Sequence, residues 1–448
     1  MSLFYIEKGI RERFFKAGTE ALWVFAGQVG IVAGSLFGIK ILTYLLSQSE
    51  FGRFSLANTI ILLIGLSLFN PLGQGLMRFW SIAQERGELE TFLRVSRQYI
   101  IVLLCAVFLI AVIGSCILVM SSWNDWAFLF CASIITGGIA GWANVRIYVL
   151  MAARKRKAVA IINTATAFVK PLSGGVIAWF FFVKADWVVA GYLAAGVVSS
   201  IVTEKIYKTT VCEKKIPSRT KDQQLGAQPG SFGREILSFS LPFFLWGIFG
   251  WIHQFCDRWS VMAFHGADVV GAYAVISQLA VYPLIFGANF LNVFFTPIAY
   301  DRAGALHPAK SLQSANMIIY LMTGIYALGA LILILIFTFY HNWIVVLISN
   351  ERYTEFSSLL PWLSLSWSFY YLGQMLSGFG FLANKSRLYI APAVVAGICA
   401  TIATFYLSSE FGPPGVVAGI GIAGVIYAFW CMAIGIHLLK KGTDSLSG

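Results

Sequence analysis

The sequence predicts an all-α integral membrane protein with twelve transmembrane helices arranged in two pseudo-symmetric six-helix lobes. Three observations predict this class: an apolar composition, a series of long apolar segments, and a pattern repeated in the two halves of the chain. Hydrophobic residues make up 58% of the 448 residues, charged residues make up only 12%, and the mean hydropathy is +0.77. Soluble globular domains carry about twice that share of charged residues, so the composition excludes them.

Apolar segments long enough to cross a bilayer define the helices. We place six in the first half, at 20–46, 53–78, 99–121, 127–152, 158–183 and 187–208, and six in the second, at 236–262, 268–297, 314–340, 357–383, 388–408 and 413–438. The predicted domains are a lead-in (1–19), an N-terminal lobe (20–208), a linker (209–235), a C-terminal lobe (236–438) and a tail (439–448). Ile6, Ile10 and Phe14 recur every fourth residue, so we expect the lead-in to be an amphipathic helix on the membrane surface.

The distribution of positive charge predicts the orientation. With an even number of crossings, 26 of the 32 Lys and Arg residues fall on the side of the membrane that holds both chain termini. Under the positive-inside rule that side is cytoplasmic. The net charge of +12 therefore indicates membrane topology and contact with anionic lipid, and we expect no nucleic-acid partner.

Two short echoes indicate that the halves are repeats of one another. Residues 52–56 (GRFSL) and 271–275 (GAYAV) each stand at the turn before the second helix of their half. Residues 153–157 and 383–387 stand before the fifth helix of each half. Because each half has six helices and starts on the same side, the repeats are predicted to be parallel, related by an axis along the membrane normal.

Polar side chains recur at helical spacing inside the apolar segments, which is typical of helices that face a water-filled cavity. The stripes are Ser67, Asn70, Gln74 and Arg78; Asn163, Thr166, Lys170 and Ser173; Trp246, Gly250, His253 and Asp257; Gln278, Tyr282, Asn289, Asn292 and Thr296; and Ser366, Tyr370, Gln374 and Ser377. Hydrogen bonds between neighbouring helices are the alternative explanation for any single Ser, Thr, Asn or Gln.

Cations embedded in the apolar segments are the sharper signal. A Lys or Arg at the bilayer centre costs roughly 2.5–3.5 kcal/mol on insertion scales, so it needs a partner or water. Lys170 lies near the middle of its helix and Lys40 in the outer third of its own. Arg78, Arg146 and Arg258 lie nearer helix ends, where they would bind an anion or extend to the lipid headgroups. Cations outnumber acids here, which favours an anionic cargo such as a diphosphate.

The neighbours of these cations suggest further roles. Pro171, with Gly174 and Gly175 after it, predicts a bent or broken helix beside Lys170. Asp257 would pair with Arg258 or with a cation of the first lobe, and Glu204 with Lys205 or Lys208. His253 would either titrate near neutral pH or serve as a packing histidine.

The same residues carry a family resemblance. Residues 50–56 (EFGRFSL) with 75–78 (GLMR), and 240–242 (SLP) with 257–258 (DR) and 270–273 (VGAY), are similar to segments of the Wzx-type polysaccharide flippases. Those proteins share a superfamily with the multidrug and toxic-compound extrusion (MATE) transporters and the lipid II flippase. The resemblance implies a V-shaped, MATE-like pair of lobes in a bacterial inner membrane. It also implies a cargo oligosaccharide carried on undecaprenyl diphosphate, and a polysaccharide polymerase and chain-length regulator as partners.

The resulting hypothesis is a flippase that moves this lipid-linked oligosaccharide to the outer leaflet by alternating access. The predicted substrate-binding residues are Lys40, Lys170, Arg258, Arg78, Arg146, Asn70, Gln74, His253, Asp257, Tyr282, Asn289, Asn292, Tyr370 and Gln374. We expect no cofactor; a coupling ion (H⁺ or Na⁺) or the membrane potential would supply the energy. The alternatives are a cation-coupled multidrug exporter and a membrane polysaccharide polymerase or ligase. The sequence shows no catalytic set in its short outer loops, which disfavours the enzyme.

Overall fold

The computed structural model describes residues 2–213, 231–303, 310–383 and 385–447, and it is built from α-helices. The helices of the first half are α1 (Ser2–Leu45), α2 (Gln48–Ile64), α3 (Asn70–Glu85), α4 (Leu89–Val119), α5 (Ala127–Ala152), α6 (Arg156–Phe180) and α7 (Ala185–Glu213). Those of the second half are α8 (Ser231–Ala303), α9 (Lys310–Ile348), α10 (Leu360–Leu376), α11 (Gly378–Leu382), α12 (Ile390–Phe411) and α13 (Pro413–Ser447).

Each of the twelve predicted segments is helical. Within the described part of the chain, ten helical stretches are long and apolar enough to cross a membrane. One of them, Phe232–Thr296, holds two predicted segments, because α8 turns sharply at Gly266, whose φ of 80° is accessible mainly to glycine. α10 has only 17 residues and continues into α11 to form the tenth predicted segment.

The lobes repeat the same packing order, which confirms the predicted internal repeat. In the N-terminal lobe α1 packs on α6, α6 on α7, and α5 on α7 and α4. In the C-terminal lobe the first part of α8 packs on α12, α12 on α13, and α10 on α13 and α9. The second sequence echo also forms one shared turn: the backbone N–H of Lys155 donates to Leu150 O (3.0 Å), and that of Lys385 donates to Gly380 O (2.8 Å).

The first sequence echo lies where the two lobes touch. We call the face that holds the chain termini the terminal face and the opposite face, at the α1–α2 turn, the distal face. At the distal face a Cβ added to Gly52 would collide with the Ala267 carbonyl oxygen, and one added to Gly271 would collide with the Gln48 carbonyl oxygen. The equivalent glycines therefore meet across the pseudo-symmetry axis, since only glycine lets the two backbones approach so closely.

A π-helical turn, Gly65–Phe69, separates α2 from α3 directly before Asn70 and Pro71. The Asn70 N–H donates to Gly65 O, so the turn holds one residue more than an α-helical turn. The extra residue changes the phase of the helix between Ser67, which lies in the π turn, and the later members of the predicted stripe, which lie on α3. Ser67 is buried, with its backbone beside Gly247 of α8, whereas Arg78 is exposed.

The predicted ends of the lobes fall inside helices. α1 begins at Ser2 and runs without interruption through the predicted lead-in, while the lead-in's position on the membrane surface stays a prediction. α7 extends to Glu213 and α8 starts at Ser231, so the central part of the predicted linker, 214–230, lies outside the described residues. The tail is helical as far as Ser447.

Candidate functional site

A cavity of about 170 Å³ lies between the two lobes. The N-terminal lobe lines it with α1, α2, α6 and α7, and the C-terminal lobe with the part of α8 that follows Gly266. Its polar lining residues are Ser35, Ser55, Asn58, Lys170, Tyr192, Gln278 and Tyr282. The Tyr282 hydroxyl donates to Gln278 Oε1 (3.1 Å), which orients both side chains of the C-terminal wall.

Close packing of α6 on α1 sets the position of Lys170. Glycines of α1 face α6 at successive turns, and a Cβ at Gly34 would lie 2.7 Å from the Ala167 Cβ, while one at Gly38 would lie 3.1 Å from the Pro171 Cβ. This stripe of small residues brings the helices together by van der Waals contact. Lys170, between these two contacts on α6, is thereby held beside α1 at the cavity wall.

The helix that carries Lys170 is continuous through Pro171, so it is not broken there, while the bend stays a prediction. The nearby glycines serve close packing instead: a Cβ on Gly191 of α7 would lie 2.5 Å from the Gly174 Cα. The Ser173 hydroxyl donates to Gly191 O (2.8 Å), and its oxygen also lies 3.0 Å from Lys170 O. Ser173 therefore joins two helices, and so does Thr166, whose Oγ1 lies 2.8 Å from the Ser199 Oγ of α7. These two members of the predicted stripe on α6 therefore form hydrogen bonds between neighbouring helices, which was the alternative explanation for such residues.

No acid neutralises Lys170 within the part of the chain that the structure describes. The ion pairs found there leave Lys170 out, and the residues that line the cavity include no Asp or Glu. A half-buried ammonium group in a membrane protein requires water or an anion as its counterpart. The cavity therefore holds a lysine side chain with no acidic partner among these residues.

Lys40 has a different environment from the one predicted. Its Nζ crosses from α1 to the C-terminal lobe and donates to Leu347 O (3.0 Å) and Ser349 O (3.0 Å), with Val346 O at 3.4 Å. Val346 and Leu347 lie in the last turn of α9 and Ser349 directly follows it, so the ammonium group lies at the negative end of the helix dipole. The structure thus uses the charge of Lys40 in an interlobe contact at the distal face and does not place it in the lining of the cavity.

The acid–base neighbours on α8 form a buried cluster at the bend of that helix. Asp257 is fully buried; its Oδ2 accepts a hydrogen bond from the Tyr273 hydroxyl (3.0 Å) and its Oδ1 from the Arg258 backbone N–H (2.7 Å). The Arg258 guanidinium lies over the Phe255 ring, 5.2 Å from its centroid, and interacts electrostatically with the Tyr282 phenol. Arg258 is buried and does not line the cavity.

The structure separates two other predicted cations from the cavity. Arg146 is buried, its Nε donates to Glu204 Oε2 (2.8 Å), and its guanidinium lies 4.2 Å from the Tyr207 ring centroid. Glu204 also pairs with the predicted Lys208 (3.8 Å). Arg78 is exposed on α3, with its guanidinium 5.4 Å from the Phe239 ring centroid. Neither of them lines the cavity.

The predicted polar residues of the C-terminal lobe form an aromatic cluster. His253 is 1% exposed, stacks on Tyr370 with a centroid distance of 4.2 Å, and contacts the edge of Trp367 at 5.6 Å. Its Nδ1 lies 3.4 Å from Ala396 O. Gln374 is half-buried one turn beyond Tyr370 on α10 and hydrogen-bonds to it. This geometry favours the second of the two roles predicted for His253, that of a packing histidine.

His253→Phe is expected to leave transport within about threefold of wild type and its pH dependence unchanged. Phenylalanine keeps the stacking with Tyr370, and swaps that conserve volume in a core usually cost less than about 1.5 kcal/mol. The measurement is transport by the reconstituted protein between pH 6 and 8, with Tyr370→Phe as the matched control. A pH profile that flattens only in His253→Phe would restore the titrating role.

The remaining predicted residues lie outside the cavity. Asn70 accepts a hydrogen bond from the Tyr148 hydroxyl of α5, and Gln74 also hydrogen-bonds to that hydroxyl, so both act within the N-terminal lobe. Asn289 is exposed and Asn292 is half-buried, farther along α8 than Tyr282. Of the predicted site residues, the cavity therefore brings together only Lys170 and Tyr282.

Several residues that line the cavity were not among the predicted substrate-binding residues. Asn58 and Ser35 are the informative cases, because each is a polar residue inside an apolar helix, and each could have been found by asking which helix faces converge. Tyr192 gives no such signal, since tyrosine is common in membrane helices near an interface. Its ring packs on the edge of Phe54 at 5.2 Å, which links α7 to α2 beside the cavity.

Comparison with solved structures identifies the architecture. A multidrug resistance MATE family transporter of the MOP superfamily, in its inward-facing conformation, matches with a TM-score of 0.64 at 15% identity, over 95% of this chain and 96% of that one. The lipid II flippase MurJ, in an inward closed conformation, matches with a TM-score of 0.65 at 12% identity, over 95% and 91%. A MOP superfamily transporter from Pyrococcus furiosus, described as having a binding pocket of reverse polarity, matches with a TM-score of 0.59 at 14% identity, over 93% and 95%.

Sequence comparison adds no family assignment: no protein-family model and no curated protein matches the chain. At 12–15% identity, the likeness to the solved structures concerns the fold. The helical architecture of the described residues, the two repeated lobes and the cavity between them agree with it. The chain is a multi-pass membrane protein with the two-lobe fold of the MATE and MurJ transporters.

Proposed function

We propose that this protein is a flippase for a lipid-linked oligosaccharide, most simply one carried on undecaprenyl diphosphate, in the inner membrane of a bacterium. The terminal face is cytoplasmic in this proposal, and the cargo moves from that leaflet to the outer one. The diphosphate binds Lys170 in the cavity between the lobes, and the hydrocarbon tail stays in the bilayer. The observation that carries the proposal is the position of Lys170 in this cavity, where its side chain has no carboxylate partner among the described residues.

The composition of the cavity supports an anionic cargo. An ammonium group forms charge-assisted hydrogen bonds to phosphate oxygens, and neutral donors such as Tyr282, Gln278 and Asn58 supply further bonds without repelling the anion. The volume of about 170 Å³ is below the roughly 300–1,000 Å³ of pockets for drug-sized ligands. It admits a phosphate-sized group, so an oligosaccharide requires the lobes to separate first.

Contacts on both sides of the cavity fit alternating access. Towards the distal face the lobes meet at the Lys40–α9 hydrogen bonds, where the Phe51 ring also lies 5.9 Å from the Tyr353 ring. Towards the terminal face the Phe25 ring lies 5.3 Å from the Phe290 ring of α8. Each set is small compared with the continuous packing of α2 and α3 on α8. Opening one set at a time around the α2–α8 contact would expose Lys170 to each face in turn.

A cation-coupled multidrug exporter with the same fold is the second candidate. The likeness to a MATE family transporter in its inward-facing conformation favours it. The chemistry of the cavity favours an anion, because an organic cation would be repelled by Lys170 and would find no Asp or Glu in the lining. An enzyme acting on the same lipid receives no support from the described residues, since the cavity lining holds no nucleophile–base pair or paired carboxylates.

Reconstituted transport tests the proposal. Proteoliposomes would be loaded with fluorescent undecaprenyl-diphosphate oligosaccharides of several sugar compositions, and the fraction reaching the opposite leaflet would be followed with a membrane-impermeant quencher. Parallel samples would contain ethidium, a lipophilic cation, in place of the lipid. We expect protein-dependent flipping of the lipid and none of the cation; the reverse result would make the exporter the better assignment. Proton and sodium gradients applied separately would identify the coupling ion.

A further inference from the structure

A second cavity, of about 410 Å³, lies in the N-terminal lobe at the terminal face, between α4, α5 and α7. All its lining residues belong to these three helices, so it is separate from the cavity between the lobes, part of which is formed by α8. Arg97, Arg146 and Lys208 bring three positive charges to it, and Glu204 brings one negative charge. We call it the basic crevice.

The charged side chains of the basic crevice contact one another. Glu204 accepts a hydrogen bond from the Arg146 Nε at 2.8 Å and lies 3.8 Å from the Lys208 Nζ, so one carboxylate contacts cations of two helices. Stacking on Tyr207 holds the Arg146 guanidinium from the other side. With Arg97 included, the lining keeps a net charge of about +2 at neutral pH. Because the positive charge of the lining exceeds its negative charge, the crevice favours binding of an anion.

The apolar residues of the basic crevice extend from the cations towards the middle of the membrane. Ile101 and Leu104 follow Arg97 by one and two turns on α4, which runs inwards from the terminal face. Trp142 precedes Arg146 by one turn on α5, which runs the opposite way, so it also lies deeper than the arginine. Ile101 is 48% exposed, which places this surface in contact with the bilayer.

We infer that the basic crevice binds an anionic phospholipid, with its phosphate among Arg97, Arg146 and Lys208 and one acyl chain against Ile101, Leu104 and Trp142. A layer of cations at the membrane face above an apolar floor matches the two parts of such a lipid. This assigns Arg146 to a lipid site in one lobe and away from the cargo site. The inference does not depend on which cargo the protein moves.

The experiment compares two double variants of the full-length protein that lose the same charge from the same two helices. Arg97→Gln with Lys208→Gln removes the exposed cations of the basic crevice and leaves the buried Arg146–Glu204 pair intact. Arg94→Gln with Lys205→Gln is the control, because both residues are exposed and neither lines the crevice. Retention of phosphatidylglycerol and of phosphatidylcholine would be measured by native mass spectrometry of each protein released from detergent micelles.

We expect the wild-type and control proteins to retain phosphatidylglycerol in preference to phosphatidylcholine, and the crevice variant to bind it about tenfold or more weakly, since each cation near the membrane surface contributes to lipid attraction. Equal retention by the two double variants would overturn the inference. So would competition by glycerophosphoglycerol, which lacks acyl chains, at the concentrations at which the lipid itself binds, because the site would then recognise a phosphate alone. Flipping assays are not needed for any of these outcomes.

Discussion

Replacing Lys170 with methionine is expected to lower the initial rate of lipid-linked oligosaccharide transport at least tenfold. Methionine keeps an unbranched, flexible side chain but removes the ammonium group. Among the described residues that line the cavity, no acid pairs with this group. A hydrogen bond to a charged group contributes about 1.5–3 kcal/mol, and about 1.4 kcal/mol corresponds to a factor of ten. The measurement is the rate of flipping in proteoliposomes that contain equal amounts of each protein.

Two comparisons separate this effect from misfolding. Lys184→Met removes the same charge from an exposed position in the loop between α6 and α7 and should keep the wild-type rate. Lys170→Arg restores the charge and should recover part of the activity, although the larger planar head fits the small cavity less well. A Lys170→Met protein that inserts normally and flips at the wild-type rate would remove the basis of the proposed cargo site.

Lys40→Met is expected to shift the protein towards a conformation open at the distal face. The change removes the charge-assisted hydrogen bonds from Lys40 Nζ to the carbonyls at the end of α9. Their loss should raise the ratio of open to closed molecules about tenfold, which corresponds to roughly 1.4 kcal/mol. Asn124 and Glu355 are exposed distal residues of the two lobes. Double electron–electron resonance between spin labels at these two positions would measure the increase in the distance between the lobes.

The control for this prediction is Arg352→Met, which removes a cation from the same distal region without removing an observed interlobe side-chain contact. The Arg352 backbone carbonyl, which accepts a hydrogen bond from the Gln48 side chain, is retained in that variant. An unchanged distance distribution in Lys40→Met would show that the α2–α8 packing alone closes the distal face. The role of Lys40 would then be limited to capping α9.

The fold was largely predictable because the membrane restricts the possibilities so strongly. In a bilayer each backbone polar group must be satisfied within the protein, so twelve apolar segments of the right length have to be twelve helices. The repeat was predictable from Gly52 and Gly271, because only glycine permits the close approach that each makes where the two lobes touch. The π turn at Gly65–Phe69 was not predictable from the sequence, because such a turn depends on local hydrogen bonding and not on the apolar pattern.

The identity of the embedded cations was readable from the sequence, but their partners were not. Lys40, Lys170 and Arg146 look alike in sequence, each a cation within an apolar helix. In the structure Lys40 bonds to the end of α9, Arg146 pairs with Glu204, and Lys170 faces the cavity between the lobes. Helical spacing gives the face of one helix, whereas a partner is chosen by the way that two or more helices pack.

The sequence by itself therefore determined a membrane-embedded, internally repeated helical protein with charges that require compensation. The tertiary structure alone decided which of those charges is compensated by protein and which faces the cavity. The physical reason is that the cost of embedding a charge depends on the residue and the membrane, while the interaction that offsets it acts over a few ångströms between atoms far apart in the chain.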